Sequence, residues 1–183
     1  MNTVQSAPAY SAYTPPYTGS SQVHGIASSQ NPNTNLLRGA ISGGISAYFR
    51  GDHMTHSMRE LVGGGLGGIP NGIKGIAGTA GQLAGISGLG SALTSSLRNG
   101  VGFAMGKVEK ADLAENIARD SLRGALAGAS GGTVAGVAGF IPVTGLMGTV
   151  IKVSAGAIGG MAGGRLADHL SDKLWQPAPP STP

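Results

Sequence analysis

The chain has 183 residues, of which 34 are glycine and none is cysteine, and its formal net charge at pH 7 is +4. The lack of cysteine excludes a disulfide scaffold, a thiolate nucleophile and a cysteine-ligated metal site. Only 11% of the residues are charged, against about 25% in typical globular proteins, so we expect part of the surface to contact something other than water. The basic residues are scattered and aromatic residues are few, which argues against a specific nucleic-acid partner.

Residues 1–35 are rich in Ser, Pro, Asn and Tyr and contain no charged side chain. So few aliphatic side chains cannot offset the entropy of ordering the segment, and we predict a disordered leader. It lacks the basic start and apolar run of a secretory signal and the arginines of a mitochondrial presequence. An ordinary disordered tail would have the same composition.

The leader also has Val4 near its start, frequent serine and no acidic residue before Asp52. In these features it resembles the export signals of bacterial type III secreted effectors. The glycine-rich, cysteine-free composition is similar to that of harpins and translocators of the same systems, although harpins are usually acidic and this chain is basic. The resemblance implies secretion into a host cell, a secretion chaperone as a partner, and a eukaryotic host membrane as the target.

Residues 36–62 are predicted to form short amphipathic helices. Apolar side chains recur at four-residue steps on one helical face, at Leu37, Ile41, Ile45 and Phe49. Gly39 and Gly43 lie on a neighbouring stripe, and Asn35 is a candidate N-cap. His53 and His56 would bring two imidazoles to one side of a helix, but no third strong ligand accompanies them, so we predict no metal site.

Residues 63–106 are predicted to form a glycine-rich apolar hairpin. Its turn is expected at Ile69–Gly72, where proline is followed by Asn-Gly. The uncharged run between Lys74 and Arg98 is long enough to cross a bilayer core. It consists mostly of Ala, Gly, Ser and Thr, which makes its insertion energy marginal.

Residues 107–123 carry charges of alternating sign, including the helical pair Glu115 and Arg119. This pattern indicates an exposed amphipathic helix that connects two apolar blocks. A partner-binding helix is the alternative.

Residues 124–176 are predicted to form a second hairpin, with its turn at Pro142 and Gly145 and an amphipathic end. Each arm has glycine at every fourth position, at Gly124, Gly128, Gly132 and Gly136 and then at Gly156, Gly160 and Gly164. An interior helical glycine costs about 1 kcal/mol relative to alanine. Close helix packing would offset that cost, most effectively in lipid, and we expect the two glycine rows to form one contact surface. A compact soluble hairpin is the alternative.

Trp175 is the only tryptophan and lies where an interfacial membrane anchor is expected. Packing in a protein core is the alternative for this side chain. Residues 177–183 form a Pro-rich tail. The sequence contains neither a Gly-x-Ser-x-Gly elbow nor a phosphate-binding loop motif, so we predict no enzyme activity and no cofactor.

The predicted fold class is mainly α, with glycine-zipper helical hairpins joined by the charged helix. The leading functional hypothesis is a secreted, membrane-interacting effector or translocator-like virulence protein that inserts hairpins into a host membrane. One alternative is a phage virion protein that forms a membrane passage during DNA ejection. Another is a soluble all-α adaptor that binds a host protein or associates with itself.

Overall fold

The computed structural model describes residues 32–175, which form four helices and no strand. The helices are α1 (Pro32–Gly63), α2 (Gly65–Ala104), α3 (Lys110–Ala138) and α4 (Gly145–Leu174). The mainly α fold class is therefore confirmed. The predicted disordered leader and the Pro-rich tail lie outside the described residues, except that residues 32–35 are helical. Asn35 is inside α1 and does not cap it, because the helix already begins at Pro32.

The four helices form an up-down-up-down bundle. Each helix is antiparallel to the next: along α1 and α2, for example, Leu61 lies against Gly72 and Ser46 pairs with Ser87 at 3.1 Å. Helices α1 and α3 run parallel and contact each other in the centre, and α2 and α4 lie on either side of this pair. Within the described residues α2 and α4 make no contact, so α1 and α3 hold the bundle together.

The first hairpin differs from the sequence prediction. Residues 65–104 form one helix with Pro70 inside it, so the predicted 63–106 hairpin and its turn at Ile69–Gly72 are wrong. The chain reverses instead at Gly65, whose φ is +57°. A Cβ on Gly72 would lie 2.6 Å from the Cα of Leu61. We attribute the helical conformation of this segment to that close contact with α1. The local Pro-Asn-Gly pattern contains no information about this contact.

Two further boundaries differ because helices continue across them. The short helices expected over 36–62 are one helix, α1, and the charged segment 107–123 is continuous with the first glycine-rich arm in α3. The turn expected at Pro142 and Gly145 is present between α3 and α4. It covers residues 139–144, and α4 begins at Gly145 with a φ of +69°, a conformation that favours glycine.

The buried centre of the bundle consists mainly of glycine and alanine. Its fully buried alanines include Ala127, Ala135 and Ala167, and its only large apolar members among the described residues are Met54, Leu83 and Val108. A core of such small side chains brings helix backbones close together. It also leaves most of the large apolar side chains outside.

Candidate functional site: a glycine core and an aliphatic exterior

Four glycines form a close backbone contact where α1, α3 and α4 meet. A Cβ on Gly160 would lie 2.7 Å from the Cα of Gly43, and one on Gly131 would lie 2.8 Å from the carbonyl oxygen of Gly156. Both neighbours are backbone atoms, which cannot move aside as a flexible side chain could. These positions therefore require glycine for steric reasons.

The glycine row of α3 is buried at all four predicted positions, Gly124, Gly128, Gly132 and Gly136. The first three face α2, and a Cβ on Gly128 would lie 2.7 Å from the carbonyl oxygen of Leu83. Gly136 faces the side chain of Met54 on α1. The row therefore makes close helix contacts, with α2 and α1 as its partners.

The glycine row of α4 is also buried, but it does not contact the row of α3. Gly156 and Gly160 face Gly43 and Gly39 of α1, and Gly164 has neighbours only at ordinary contact distances of 3.8–4.0 Å. The expectation that the two rows form a single contact surface is therefore wrong. Each row faces a different helix because both arms pack in a four-helix bundle and not as an isolated hairpin.

The α3–α4 contact uses two glycines that the four-residue spacing missed, Gly159 and Gly163. Gly159 lies against Ser130, whose hydroxyl donates to the Gly159 carbonyl at 2.8 Å, and Gly163 lies against Leu126 and Ser130. In the sequence, each of these two glycines is followed directly by a second glycine, so each begins a Gly-Gly doublet. Adjacent helical residues point about 100° apart, so a doublet supplies glycine to two neighbouring helices at once.

The large aliphatic side chains point away from the core on all four helices. Leu37, Ile41 and Ile45, whose stripe was predicted from the sequence, are 53–60% exposed. We call the following set of exposed side chains the aliphatic exterior: Leu37, Ile41 and Ile45 on α1, Ile86, Leu89, Leu93 and Leu97 on α2, Val134 and Val137 on α3, and Val150, Ile158 and Leu166 on α4. Soluble monomers rarely expose apolar patches larger than a few hundred Å².

Charged residues lie mainly toward the two ends of the bundle. At one end, Arg123 pairs with Asp120 at 3.2 Å and also with Asp168 of α4. At the other end, Lys152 of α4 pairs with Asp52 of α1. Between these ends, α1 has no charged residue from Gly39 to Phe49, and α4 has none from Val153 to Gly164. Most of the aliphatic exterior lies within this uncharged zone, and Leu37, Val150 and Leu166 lie just beyond it.

Helix α4 is the one helix in the described part of the chain that is long and apolar enough to cross a membrane by length and composition. Its most apolar window has a mean hydropathy of 1.3, and only 22% of that window is buried. Most residues of that window are therefore at least partly exposed.

Trp175, the predicted interfacial anchor, follows the last residue of α4 and is half-buried. The Arg119 guanidinium lies 5.6 Å from the centroid of its ring. Trp175 is thus held at the charged end of the bundle by a cation–π contact. The interfacial role stays a prediction.

The histidines considered as metal ligands are both exposed, and His56 lies 3.3 Å from Glu60. No cluster of three metal-binding side chains occurs in residues 32–175. Comparison with known proteins gives no family for the chain: no family model, curated protein or solved structure matches it.

Proposed function

We propose that the protein binds lipid membranes through its aliphatic exterior. The observation that carries this proposal is the distribution of side chains, with glycine and alanine inside the bundle and leucine, isoleucine and valine outside. Soluble proteins bury the latter residue types preferentially. In lipid the same distribution carries no penalty, because acyl chains solvate the exposed aliphatic groups.

The energy available from this surface is sufficient for stable association. Leu89, Leu93 and Leu97 on α2 are 67–74% exposed. Full burial of one such side chain is worth about 1.5–3 kcal/mol. The three together would supply roughly 3–6 kcal/mol after allowing for their partial exposure. Equivalent side chains on the other helices add to this, and a total of about 8 kcal/mol corresponds to a micromolar dissociation constant.

The glycine core is a second, independent argument for membrane binding. Burial of apolar area does not drive helices together in lipid, so close backbone contact must do so. The contacts among Gly43, Gly131, Gly156 and Gly160 are of this kind. A bundle held by such contacts is able to keep its helices together when acyl chains surround it.

The length of the uncharged zone favours partial immersion. Arg38 and Arg50 on α1 are twelve residues apart, which corresponds to about 18 Å along a helix. The hydrocarbon core of a bilayer is about 30 Å thick. We therefore propose that the bundle enters less than the full thickness and lies so that both charged ends, at Asp168 and at Lys152, stay near the headgroups.

The composition of the leader is the basis for proposing where the protein acts. Its resemblance to type III export signals supports secretion, and the aliphatic exterior supports a membrane of the host cell as the destination. The proposal is thus a secreted, membrane-interacting effector or translocator-like protein. In contrast to the hairpin-insertion hypothesis, it enters the membrane surface as a closed four-helix bundle.

Liposome flotation of the purified full chain tests membrane binding. We expect the protein to float with phosphatidylcholine vesicles, and we expect Leu89→Gln/Leu93→Gln/Leu97→Gln to float much less, because glutamine retains helix propensity but removes the apolar groups. Leu174→Gln, at the charged end and also exposed, is the control and should float like the wild type.

Failure of the wild type to float would refute membrane binding and would favour a protein partner for the aliphatic exterior. The fluorescence of Trp175 gives an independent measure of depth, since it is the only tryptophan. On vesicles, a water-soluble quencher should still reach it. Complete protection of Trp175 would contradict the proposed placement of the charged end.

A further inference from the structure

The glycines of α2 differ from those of the other three helices. In α1, α3 and α4, every glycine except the terminal residues Gly63 and Gly145 would bring an added Cβ within 4 Å of another part of the chain. In α2, a Cβ on Gly78, Gly81 or Gly85 would meet no atom within 4 Å. Glycine is the least favourable interior helix residue after proline. Within a single bundle these three positions therefore have an energetic cost without a compensating contact.

These three glycines belong to an exposed face of α2. Spacings of three and four residues place them on one side of the helix, and the same side continues toward the C-terminal end of α2. In the described part of the chain α2 contacts α1 and α3 but not α4, so this side has no neighbouring helix. We call the following exposed residues the outer stripe: Gly78, Gly81, Gly85, Leu89, Leu93 and Ser96.

The outer stripe has two halves of different shape. Its first half consists of glycines, whereas its second half carries Leu89 and Leu93, which are 68% and 67% exposed. A second copy of α2 that runs in the opposite direction would place its second half against the first half of the original. With a two-fold axis midway between residues 85 and 89, Gly85 lies in the same layer as Leu89 of the other copy, and Gly78 lies in the layer of Ser96. The outer stripe is therefore complementary to itself, as a two-fold symmetric contact requires.

Charge favours the antiparallel arrangement over the parallel one. Lys74 is exposed and lies one turn before Gly78 on the same face, and α2 contains no acidic residue. Parallel copies would bring the two Lys74 side chains together. Antiparallel copies place Lys74 opposite Gly100 of the other copy, near the C-terminal end of that helix, where the helix dipole favours a cation.

The size of the contact indicates the setting in which it forms. The face from Lys74 to Gly100 is about 39 Å long, and a helix about 10 Å wide would cover roughly 400 Å² of it in projection. Specific complexes in water typically bury about 800 Å² on each partner. In lipid, helices associate by close approach over small residues and not by burial of apolar area. The outer stripe is therefore suited to a contact between copies that are already bound to a membrane.

We propose that two copies of this chain pair on the membrane through the outer stripe, antiparallel and related by a two-fold axis along the membrane normal. The pairing rests on the proposed membrane binding, which brings the copies together. An axis in this direction holds both copies at the same depth, with their charged ends near the headgroups. Aliphatic side chains outside the outer stripe remain available to lipid.

Disulfide cross-linking on vesicles tests this arrangement, because the chain has no cysteine of its own. Gln82 and Ala92 are five residues on either side of the proposed axis, so Gln82 of one copy shares a layer with Ala92 of the other. We expect a mixture of full-length Gln82→Cys and Ala92→Cys chains to form at least about fivefold more cross-linked dimer than either variant alone. In either variant alone, the two cysteines of a pair would be about 15 Å apart along the helix axis, which is beyond the reach of a disulfide.

Flotation of the same samples separates the pairing from membrane binding. Protein that floats without cross-linking in the mixture would overturn the pairing and assign the outer stripe to lipid. Equal cross-linking by the mixture and by the single variants would also overturn it, because random collision does not depend on register. Protein that fails to float would refute membrane binding, and the pairing with it.

A matched pair of glycine substitutions tests the steric basis of the contact. Gly85 lies in the outer stripe and Gly90 lies about 140° away around the helix, and a Cβ on either would meet no atom within 4 Å. Introduced into both cross-linking chains, Gly85→Leu should fill the space for Leu89 of the other copy and lower cross-linking by roughly 5- to 30-fold. Gly90→Leu makes the same chemical change outside the outer stripe and should leave cross-linking unchanged. Both variants should still float, and equal cross-linking by the two would overturn the inference.

Discussion

Two glycines of α4 that look equivalent in the sequence are expected to respond to alanine in opposite directions. Gly160 and Gly164 are four residues apart on the same stripe and are both buried. A Cβ on Gly160 would lie 2.7 Å from the Cα of Gly43, whereas a Cβ on Gly164 has its nearest neighbour, the Cα of Gly39, at 3.8 Å. The first contact is a backbone overlap, and the second is ordinary van der Waals contact.

The magnitudes follow from these distances. Carbon atoms prefer a separation of about 3.5–4.0 Å, so Gly160→Ala forces α1 and α4 apart by roughly 1 Å. Overpacking of this kind costs about 1–3 kcal/mol or more, and the gain in helix propensity returns about 1 kcal/mol. Because the overlapped atoms are backbone, we expect the overpacking cost of Gly160→Ala to be about 3 kcal/mol. After the gain in helix propensity, the net destabilisation is about 2 kcal/mol. Gly164→Ala has the same gain in helix propensity without a steric cost, so its free energy of unfolding should rise by about 0.5–1 kcal/mol.

Thermal unfolding in a mild non-ionic detergent, followed by far-ultraviolet circular dichroism, measures both changes. For a domain of this size 1 kcal/mol corresponds to about 2–4 °C. The Tm of Gly160→Ala should therefore fall by about 4–8 °C, and that of Gly164→Ala should rise by about 1–4 °C. Equal shifts for the two variants would refute the steric reasoning, as would a Gly160→Ala protein at least as stable as the wild type.

Two further predictions concern contacts between neighbouring helices. Ser46→Cys/Ser87→Cys should oxidise readily to a disulfide, because the two hydroxyl oxygens are 3.1 Å apart and the protein has no other cysteine. Mobility on a non-reducing gel would detect the disulfide in vesicle-bound protein. If the disulfide failed to form there, α1 and α2 would have separated in the membrane. Asn99→Ala should destabilise the bundle by about 1–3 kcal/mol, because the fully buried Asn99 donates to Ser95 and accepts from Asn116 at 3.3 Å. Thermal unfolding in detergent measures this change, and an unchanged Tm would contradict the prediction.

The sequence predicted those features of the fold that depend on local chemistry. Helical spacing identified the helix-forming segments, and Pro142 with Gly145 marked the turn between α3 and α4 correctly. The turn expected at Pro70 is absent because Gly72 packs against Leu61 of α1. That contact joins residues of two different helices, so no local pattern around Pro70 could reveal it.

The candidate site was predicted in part for a similar reason. Four-residue spacing identified Gly128 and Gly160 as buried helix contacts, but spacing within a helix does not identify the partner helix. The partners depend on how four helices share the centre of the bundle. Gly131 and Gly159 were missed because they lie one residue away from the main rows, on the face toward a second neighbour.

The orientation of the aliphatic stripe could not be read from its period. Spacing shows that Leu37, Ile41 and Ile45 share a face, but not whether that face points inward. In α1 the neighbouring stripe with Gly39 and Gly43 lies inside, because backbones approach each other most closely over glycine.

The glycine core also determines which substitutions the fold accepts. At Gly43 and Gly131 even one added methyl group meets a neighbouring backbone, whereas Leu93 or Ile158 on the outside could be exchanged for any apolar side chain of similar volume. Chains descended from a common ancestor with this fold would then diverge freely over their outer faces. We expect them to share the intervals between glycines long after the residues around those glycines have ceased to resemble one another.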